Sequence, residues 1–143
     1  MFNSILVAVD SSNLANNVIN AVHQLQIGSE STIVLLQVMP SVSSNDEVDV
    51  TLPSQSVAGT TYPEVEERLK SLETRLPTAK TKLEIVAGEP AEEIIRLANI
   101  YKSDLIVLGS RGLTGMNRIL QGSVSGQVVE EAACSVMIIK PND

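Results

Sequence analysis

The stretch that decides the fold is "DLIVLGSRGLTGMNRILQGSVSGQVV", which runs from Asp104 to Val129. It begins with an apolar run rich in β-branched residues, as is typical of a strand that is covered on both faces. Four glycines follow the run between positions 109 and 122, and a helical pattern begins near Ser123. The stretch therefore predicts a strand, a glycine-rich turn and a helix in succession.

Four more apolar runs and three more helical patterns alternate along the chain. The runs are "SILVAV", "TIVLLQV", "KLEIVA" and "SVMIIK". Strands separated by helices imply right-handed crossovers between parallel strands. The sequence therefore predicts an α/β fold with a doubly wound five-stranded parallel sheet and helices on both faces. The first helical pattern has an apolar face of Leu14, Val18, Ala21, Val22 and Leu25. The second begins with the capping-box pair Thr61 and Glu64 and ends near Pro77. The third begins at Pro90 and has a buried stripe of Ile94, Leu97, Ala98 and Tyr101.

The length of 143 residues suits one compact domain, and we expect a single domain over residues 1–143. The segment 40–61 is longer than most connections and is rich in Ser, Thr and acids. It predicts a long mobile loop, either a flap beside the sheet or a disordered insertion. The acids Asp46, Glu47 and Asp49 are more typical of a solvated loop than of a metal site.

Composition excludes several classes of partner. A net charge of −7 argues against general affinity for nucleic acid or anionic membranes. With no Trp and only three aromatic residues, recognition by base stacking is not expected. A single cysteine, Cys134, fits a reducing compartment, and no apolar run approaches the roughly 20 residues that span a membrane. We expect a cytoplasmic protein.

The glycine-rich stretch 109–123 has the features of an anion site. Ligands of open α/β sheets bind at the carboxyl ends of strands, where this stretch lies. No Asp or Glu occurs within residues 105–129, and the only charges there are Arg111 and Arg118. Ser123 is the natural N-cap of the next helix, whose free N–H groups favour an anion. A solvated glycine turn is the alternative, but the strand-end position and the missing acids favour phosphate binding.

Known phosphate motifs do not match the stretch. Neither the Walker A pattern nor the G-x-G-x-x-G spacing of dinucleotide folds is present. A receiver domain would use Asp10 and Lys140 at strand ends, but the third strand ends in "IVAG" and has no aspartate to phosphorylate. These three classes are therefore disfavoured.

The spacing Gly109-x2-Gly112-x9-Gly122-Ser123 resembles the nucleotide-binding signature of the universal stress protein family, in its ATP-binding branch. "ILVAVDSS", "GEPAEEIIRLANIYKSDLIVLGSRG" and "GSVSGQVVEEAACSVMIIKP" resemble other blocks of that family, so the resemblance covers nearly the whole chain. It implies a Rossmann-like fold of the adenine nucleotide alpha hydrolase type, usually homodimeric. It also implies ATP as the ligand, with Mg²⁺ carried by the nucleotide and not by a protein metal site.

The resemblance further implies which residues bind the nucleotide. Asp10, with Ala8 and Val9 beside it, would border the adenosine, and Val38 would offer backbone contacts to adenine. Family members often carry His before this valine, where this chain has Gln37. The residues implied around the ribose and phosphates are Gly109, Ser110, Arg111, Gly112, Gly115, Gly122, Ser123, Val124 and Ser125.

No catalytic residue is predicted. Phosphoryl transfer needs a group that positions the nucleophile, and Asp10 is the only evident base. His23 lies on the polar face of the first helix, and Cys134 has the setting of a small buried side chain. We therefore expect an ATP-dependent stress-response switch with at most slow ATP hydrolysis. The alternatives are a nucleotide-free dimeric scaffold and a hydrolase or transferase that acts on an adenylated metabolite.

The last apolar run predicts a homodimer. "SVMIIK" is expected to be an edge strand, and it contains no charge or proline until Lys140 and Pro141. An unprotected edge pairs readily with another strand. We expect two copies to pair antiparallel through Val136 to Lys140.

Overall fold

The structure, a computed structural model, describes residues 2–10, 12–40, 62–76, 80–110 and 124–141. Strands and helices alternate through these ranges at the predicted places. In chain order they are β1 (Ser4–Val9), α1 (Leu14–Gln24), β2 (Thr32–Met39), α2 (Pro63–Glu73), β3 (Thr81–Ala87), α3 (Pro90–Ile100), β4 (Leu105–Gly109), α4 (Val124–Glu131) and β5 (Ser135–Ile139).

The strands form one sheet in the order β3-β2-β1-β4-β5, and every neighbouring pair is parallel. The chain moves outward from β1 through β2 to β3 and then returns to the other side of β1 to form β4. The winding therefore reverses between β1 and β4. This is the switch point of a doubly wound sheet, where ligands bind beyond the carboxyl ends of the strands.

Helices cover both faces of the sheet. Helices α1 and α2 pack on one face against Ile5, Val7 and Val9, whereas α3 and α4 pack on the other against Leu6 and Ala8. Side chains of β1 and β4 are almost entirely buried, but those of β3 and β5 are mostly half-buried. The inner strands are continuous apolar runs because helices cover them on both sides. The predicted fold class is confirmed.

Helix α2 does not begin with the predicted capping box. Tyr62 occupies the N-cap position without a side-chain hydrogen bond, and Pro63 occupies the first turn. Thr61 lies outside the described residues. Proline has the fixed φ that suits the first helical position, so Pro63 marks the start of this helix.

Helix α3 begins at Pro90 as predicted. The Glu89 side chain caps it by accepting a hydrogen bond from the backbone N–H of Glu92 at 3.4 Å. Of the predicted stripe, Tyr101 is only half-buried, and its hydroxyl donates to Glu84 of β3. That hydrogen bond, followed by burial, raises the pKa of Tyr101. The other members of the stripe, Ile94, Leu97 and Ala98, are buried.

The carboxylate of Asp104 joins the amino ends of β1 and β4. Its Oδ2 accepts from the backbone N–H of Asn3 at 2.9 Å, and its Oδ1 accepts from that of Ser4 at 3.0 Å. The backbone N–H of Asp104 in turn donates to the Ser4 carbonyl at 2.8 Å. Asp104 therefore holds two central strands together at the end of the sheet opposite the switch point.

Candidate nucleotide site

The carboxyl ends of β1 and β4 define the candidate site. Asp10 directly follows β1, and Ser110 directly follows β4. Since Ala8 is in register with Leu108, Asp10 and Ser110 lie at the same level on neighbouring strands. The chain leaves β1 towards one face of the sheet and leaves β4 towards the other. A ligand in the resulting crevice can reach both strand ends.

The two carboxylate oxygens of Asp10 differ in their surroundings. Oδ1 accepts from the backbone N–H of Ser12 at 2.9 Å and from its hydroxyl at 2.7 Å. Oδ2 is buried, and no donor in the described part of the chain reaches it. A buried carboxylate oxygen without a donor is unfavourable. Oδ2 is therefore placed to accept a hydrogen bond from a bound molecule.

The other residues predicted beside the base differ in what they can offer. Ala8 and Val9 are each 2% exposed, and their side chains lie in the two cores, so only their main chains can face a ligand. Val38 is half-buried. Because Val9 pairs with Gln37, Val38 lies one residue beyond the end of β1.

Arg68 of α2, which no sequence pattern singled out, reaches the ends of β1 and β2. Its Nη2 donates to the main-chain carbonyl of Asp10 and to Gln37 Oε1, the latter at 2.7 Å. Gln37 is only 4% exposed, and its Nε2 lies 3.7 Å from Met39 Sδ. Arg68 therefore connects the chain after β1 to a buried side chain near the end of β2.

Two sequence features point to this pair in retrospect. Gln37 is the single polar side chain inside the run "TIVLLQV" after its first residue, and a buried amide requires a partner. Arg68 lies three residues after Val65 and four before Leu72, which places it on the buried stripe of α2. Neither feature identifies the residue with which the hydrogen bond forms.

An Arg68→Met variant is expected to lose about 1–3 kcal/mol of unfolding free energy, because the Gln37 amide and the Asp10 carbonyl lose their donor. Urea denaturation followed by circular dichroism measures this loss. Lys70→Met is the matched control, since Lys70 is an exposed residue of the same helix and its ion pair with Glu66, at 3.5 Å, is also exposed. Equal losses in the two variants would contradict the role given to Arg68.

The predicted residues after β4 are described in part. The backbone N–H of Ser110 donates to the Ile139 carbonyl at 2.8 Å, and the Ser125 hydroxyl donates to the Ser110 carbonyl at 3.3 Å. Val124 is 7% exposed and packs into the core beneath the start of α4. The start of α4 is thus fixed against the end of β4, where Gly109 is buried. Arg111, Gly112, Gly115, Gly122 and Ser123 lie outside the described residues, as do residues 41–61 of the predicted loop.

The single cysteine of the chain lies apart from this site. Burial, followed by the charge of Asp104, raises the pKa of the Cys134 thiol, which precedes β5.

Within the described ranges, no group of three or more His, Cys, Asp or Glu side chains is placed to hold a metal ion. No helix in those ranges is long and apolar enough to cross a membrane.

Fold and site together define an α/β protein with a doubly wound parallel sheet and a candidate ligand site at its switch point. A sequence model of the universal stress protein family matches residues 1–140. The chain belongs to the universal stress protein family.

Two relatives show how far the similarity extends. Universal stress protein YxiE of Bacillus subtilis is 32% identical over 149 aligned residues, which cover 98% of this chain and 100% of YxiE. Universal stress protein MJ0531 of Methanocaldococcus jannaschii is 46% identical over 61 residues, which cover 43% of this chain and 36% of MJ0531.

Solved structures share the fold. MJ0577 of Methanocaldococcus jannaschii superimposes with a TM-score of 0.80 at 25% identity, over 100% of this chain and 99% of its own. Universal stress proteins in complex with cAMP, with dAMP (from Archaeoglobus fulgidus) and with AMP (from Arabidopsis thaliana) give TM-scores of 0.67, 0.54 and 0.60. These three are 22%, 19% and 23% identical to the chain and establish the fold alone.

Proposed function

We propose that the protein binds ATP at the carboxyl ends of β1 and β4 and acts as a nucleotide-dependent switch in the stress response. The buried Oδ2 of Asp10, which no donor among the described residues reaches, carries this proposal. A ribose presents hydroxyl donors to such an acceptor, and Asp10 stands where doubly wound sheets bind nucleotides. Related proteins of this fold form complexes with adenine mononucleotides, which supports an adenine nucleotide as the ligand.

The base and the phosphates would lie on opposite sides of Asp10. Adenine would contact the main chain of Val38. The phosphates would extend towards the start of α4, whose first turn contains no acidic side chain to compete with an anion. The resemblance assigns the phosphate contacts to Gly109, Ser110, Arg111, Gly112, Gly115, Gly122, Ser123, Val124 and Ser125. Mg²⁺ bound to the phosphates would neutralise part of their charge.

A switch fits the described side chains better than an efficient enzyme does. If Asp10 holds the ribose, it does not serve as a base for hydrolysis. The Cys134 thiol, whose pKa is raised by burial, lies before β5, at the opposite end of the sheet from the crevice. We therefore propose at most slow ATP hydrolysis, and the single cysteine supports a cytoplasmic setting.

Identification of a copurified ligand tests the proposal. Heat denaturation of the purified protein is expected to release an adenine nucleotide that mass spectrometry identifies. ATP with Mg²⁺ at a hundred times its Kd is expected to stabilise the fold by about 2.7 kcal/mol. A bulky residue at Gly122 should abolish that stabilisation while the apo protein stays folded. Absence of both release and stabilisation would refute ATP binding.

A nucleotide-free dimeric scaffold is the second candidate, and the edge strand β5 favours a dimer in either case. The Ile139 carbonyl accepts from the backbone N–H of Ser110, which directly follows β4, so strand alternation directs the backbone groups of Val136 and Ile138 away from β4. Side chains from Val136 to Ile139 are only half-buried. We propose that two copies pair antiparallel through Val136 to Lys140.

An Ile138→Pro variant is expected to be monomeric at micromolar concentration, because proline removes an outward backbone donor from the edge. Ile138→Ala is the matched control, since it shortens the side chain but keeps the N–H, and it should remain dimeric. Sedimentation velocity distinguishes the two states. A monomeric wild-type protein, or a dimeric Ile138→Pro variant that is folded, would exclude this interface.

A further inference from the structure

The outer face of α1 consists of uncharged side chains. Residues 11–29 contain no Asp, Glu, Lys or Arg, although the chain has 17 acidic and 10 basic residues. The exposed positions of α1 are instead Asn16, Asn20, His23 and Gln24. Exposed helix faces usually carry charged side chains, so this face is a local departure from the acidic surface.

Arg75, two residues beyond α2, is held over this face by neutral groups. Its Nη1 donates to Asn16 Oδ1 at 2.8 Å and its Nη2 donates to Asn20 Oδ1 at 3.1 Å. None of the ion pairs among the described residues includes Arg75. The amide oxygens orient the guanidinium without neutralising it. Since a guanidinium has five N–H donors, several have no acceptor among the described residues and are available to a ligand.

A surface cavity of about 500 Å³ lies beside this guanidinium. The described residues that line it are Asn20, His23, Gln24 and Arg75. Each of these side chains can donate a hydrogen bond, and none carries a carboxylate. The volume is within the range of small-molecule sites. Because α1 runs back from the carboxyl ends of the strands, His23 and Gln24 lie towards the opposite end of the sheet from Asp10.

We propose that this cavity binds a small molecule through a phosphate group, with Arg75 as the anchor and His23 and Gln24 as further donors. A planar guanidinium can pair with two phosphate oxygens at once. The hydrogen bonds to Asn16 and Asn20 orient the Arg75 guanidinium before a ligand binds. Because no described residue of the lining is acidic, none of them repels a phosphate anion. This second site is independent of ATP binding at the strand ends.

His23 provides a selective probe because it is the only histidine in the chain. Its ring proton signals are followed by NMR while inorganic phosphate is added at constant pH and ionic strength. We expect a saturable shift in the wild type and about tenfold or greater weakening in Arg75→Gln, which removes a charge-assisted contact. Arg96→Gln is the matched control, since Arg96 pairs with Glu93 and lies outside the cavity; its phosphate affinity should equal that of the wild type.

Gln24→Glu supplies a second variant, since it places a carboxylate in the cavity without removing any hydrogen bond of Arg75. It should abolish the phosphate-dependent shift, whereas ATP affinity at the strand ends should be unchanged in both variants. No saturable shift in the wild type, or the same shift in Arg75→Gln, would overturn the site. Tighter binding of succinate than of phosphate would show that the cavity takes carboxylates, and the phosphate assignment would be wrong.

Discussion

ATP is expected to bind an Asp10→Ala variant about ten- to a hundredfold more weakly than the wild-type chain, because a hydrogen bond to a charged group contributes about 1.5–3 kcal/mol. The variant deletes the buried Oδ2, which has no donor among the described residues and is the proposed acceptor for the ribose. Isothermal titration calorimetry with ATP and Mg²⁺ measures the difference.

Ser12→Ala separates this effect from local disorder. It removes the hydroxyl that donates to Asp10 Oδ1 at 2.7 Å and leaves Oδ2 untouched. ATP affinity should therefore stay close to the wild-type value. Without nucleotide, Asp10→Ala should change the unfolding free energy by less than about 1 kcal/mol, since losing the Ser12 contacts is offset by removing a buried oxygen that no described donor reaches. Equal ATP affinity in wild type and Asp10→Ala would remove Asp10 from the site.

Asp104→Ala is expected to lower the free energy of unfolding by about 2–4 kcal/mol, because two backbone N–H groups lose a charged acceptor. The affected donors, on Asn3 and Ser4, begin the central strand β1. Urea denaturation with an unchanged slope measures the loss. ATP affinity should be unaffected, since Asp104 lies at the opposite end of the sheet from Asp10.

The conservative variant Asp104→Asn gives a graded comparison. Its side chain keeps one acceptor oxygen and replaces the other by a donor, so one of the two contacts is lost. Its stability should fall between the wild type and Asp104→Ala. A loss of ATP binding in either folded variant would contradict the purely structural role of Asp104.

The fold was predictable because its signals are local. Each inner strand is a continuous apolar run, and each helix repeats apolar residues on one face, so burial is visible without knowledge of neighbours. The helix starts were predicted less accurately. Pro90 signalled one correctly, whereas α2 has Tyr62 as its N-cap, one residue later than the N-cap that Thr61 and Glu64 predict, and Pro63 in its first turn.

Candidate site residues were predictable only where topology alone brings them together. Asp10 follows one strand and Gly109 ends another, and parallel strands bring their carboxyl ends to one edge. That described donors reach one carboxylate oxygen of Asp10 and not the other is visible only in the structure, because it depends on where each donor lies.

By itself, the sequence determined the succession of strands and helices, the parallel sheet and the family. Only the tertiary structure decided three sets of hydrogen bonds. Arg68 donates to Asp10 and Gln37, and Asp104 of the β4 end accepts from the start of β1. Arg75 donates to the side-chain amide oxygen of Asn16. These contacts join residues 31 to 101 positions apart along the chain. Periodicity reports which side of an element is buried, whereas a hydrogen bond between distant elements depends on the relative placement of both partners.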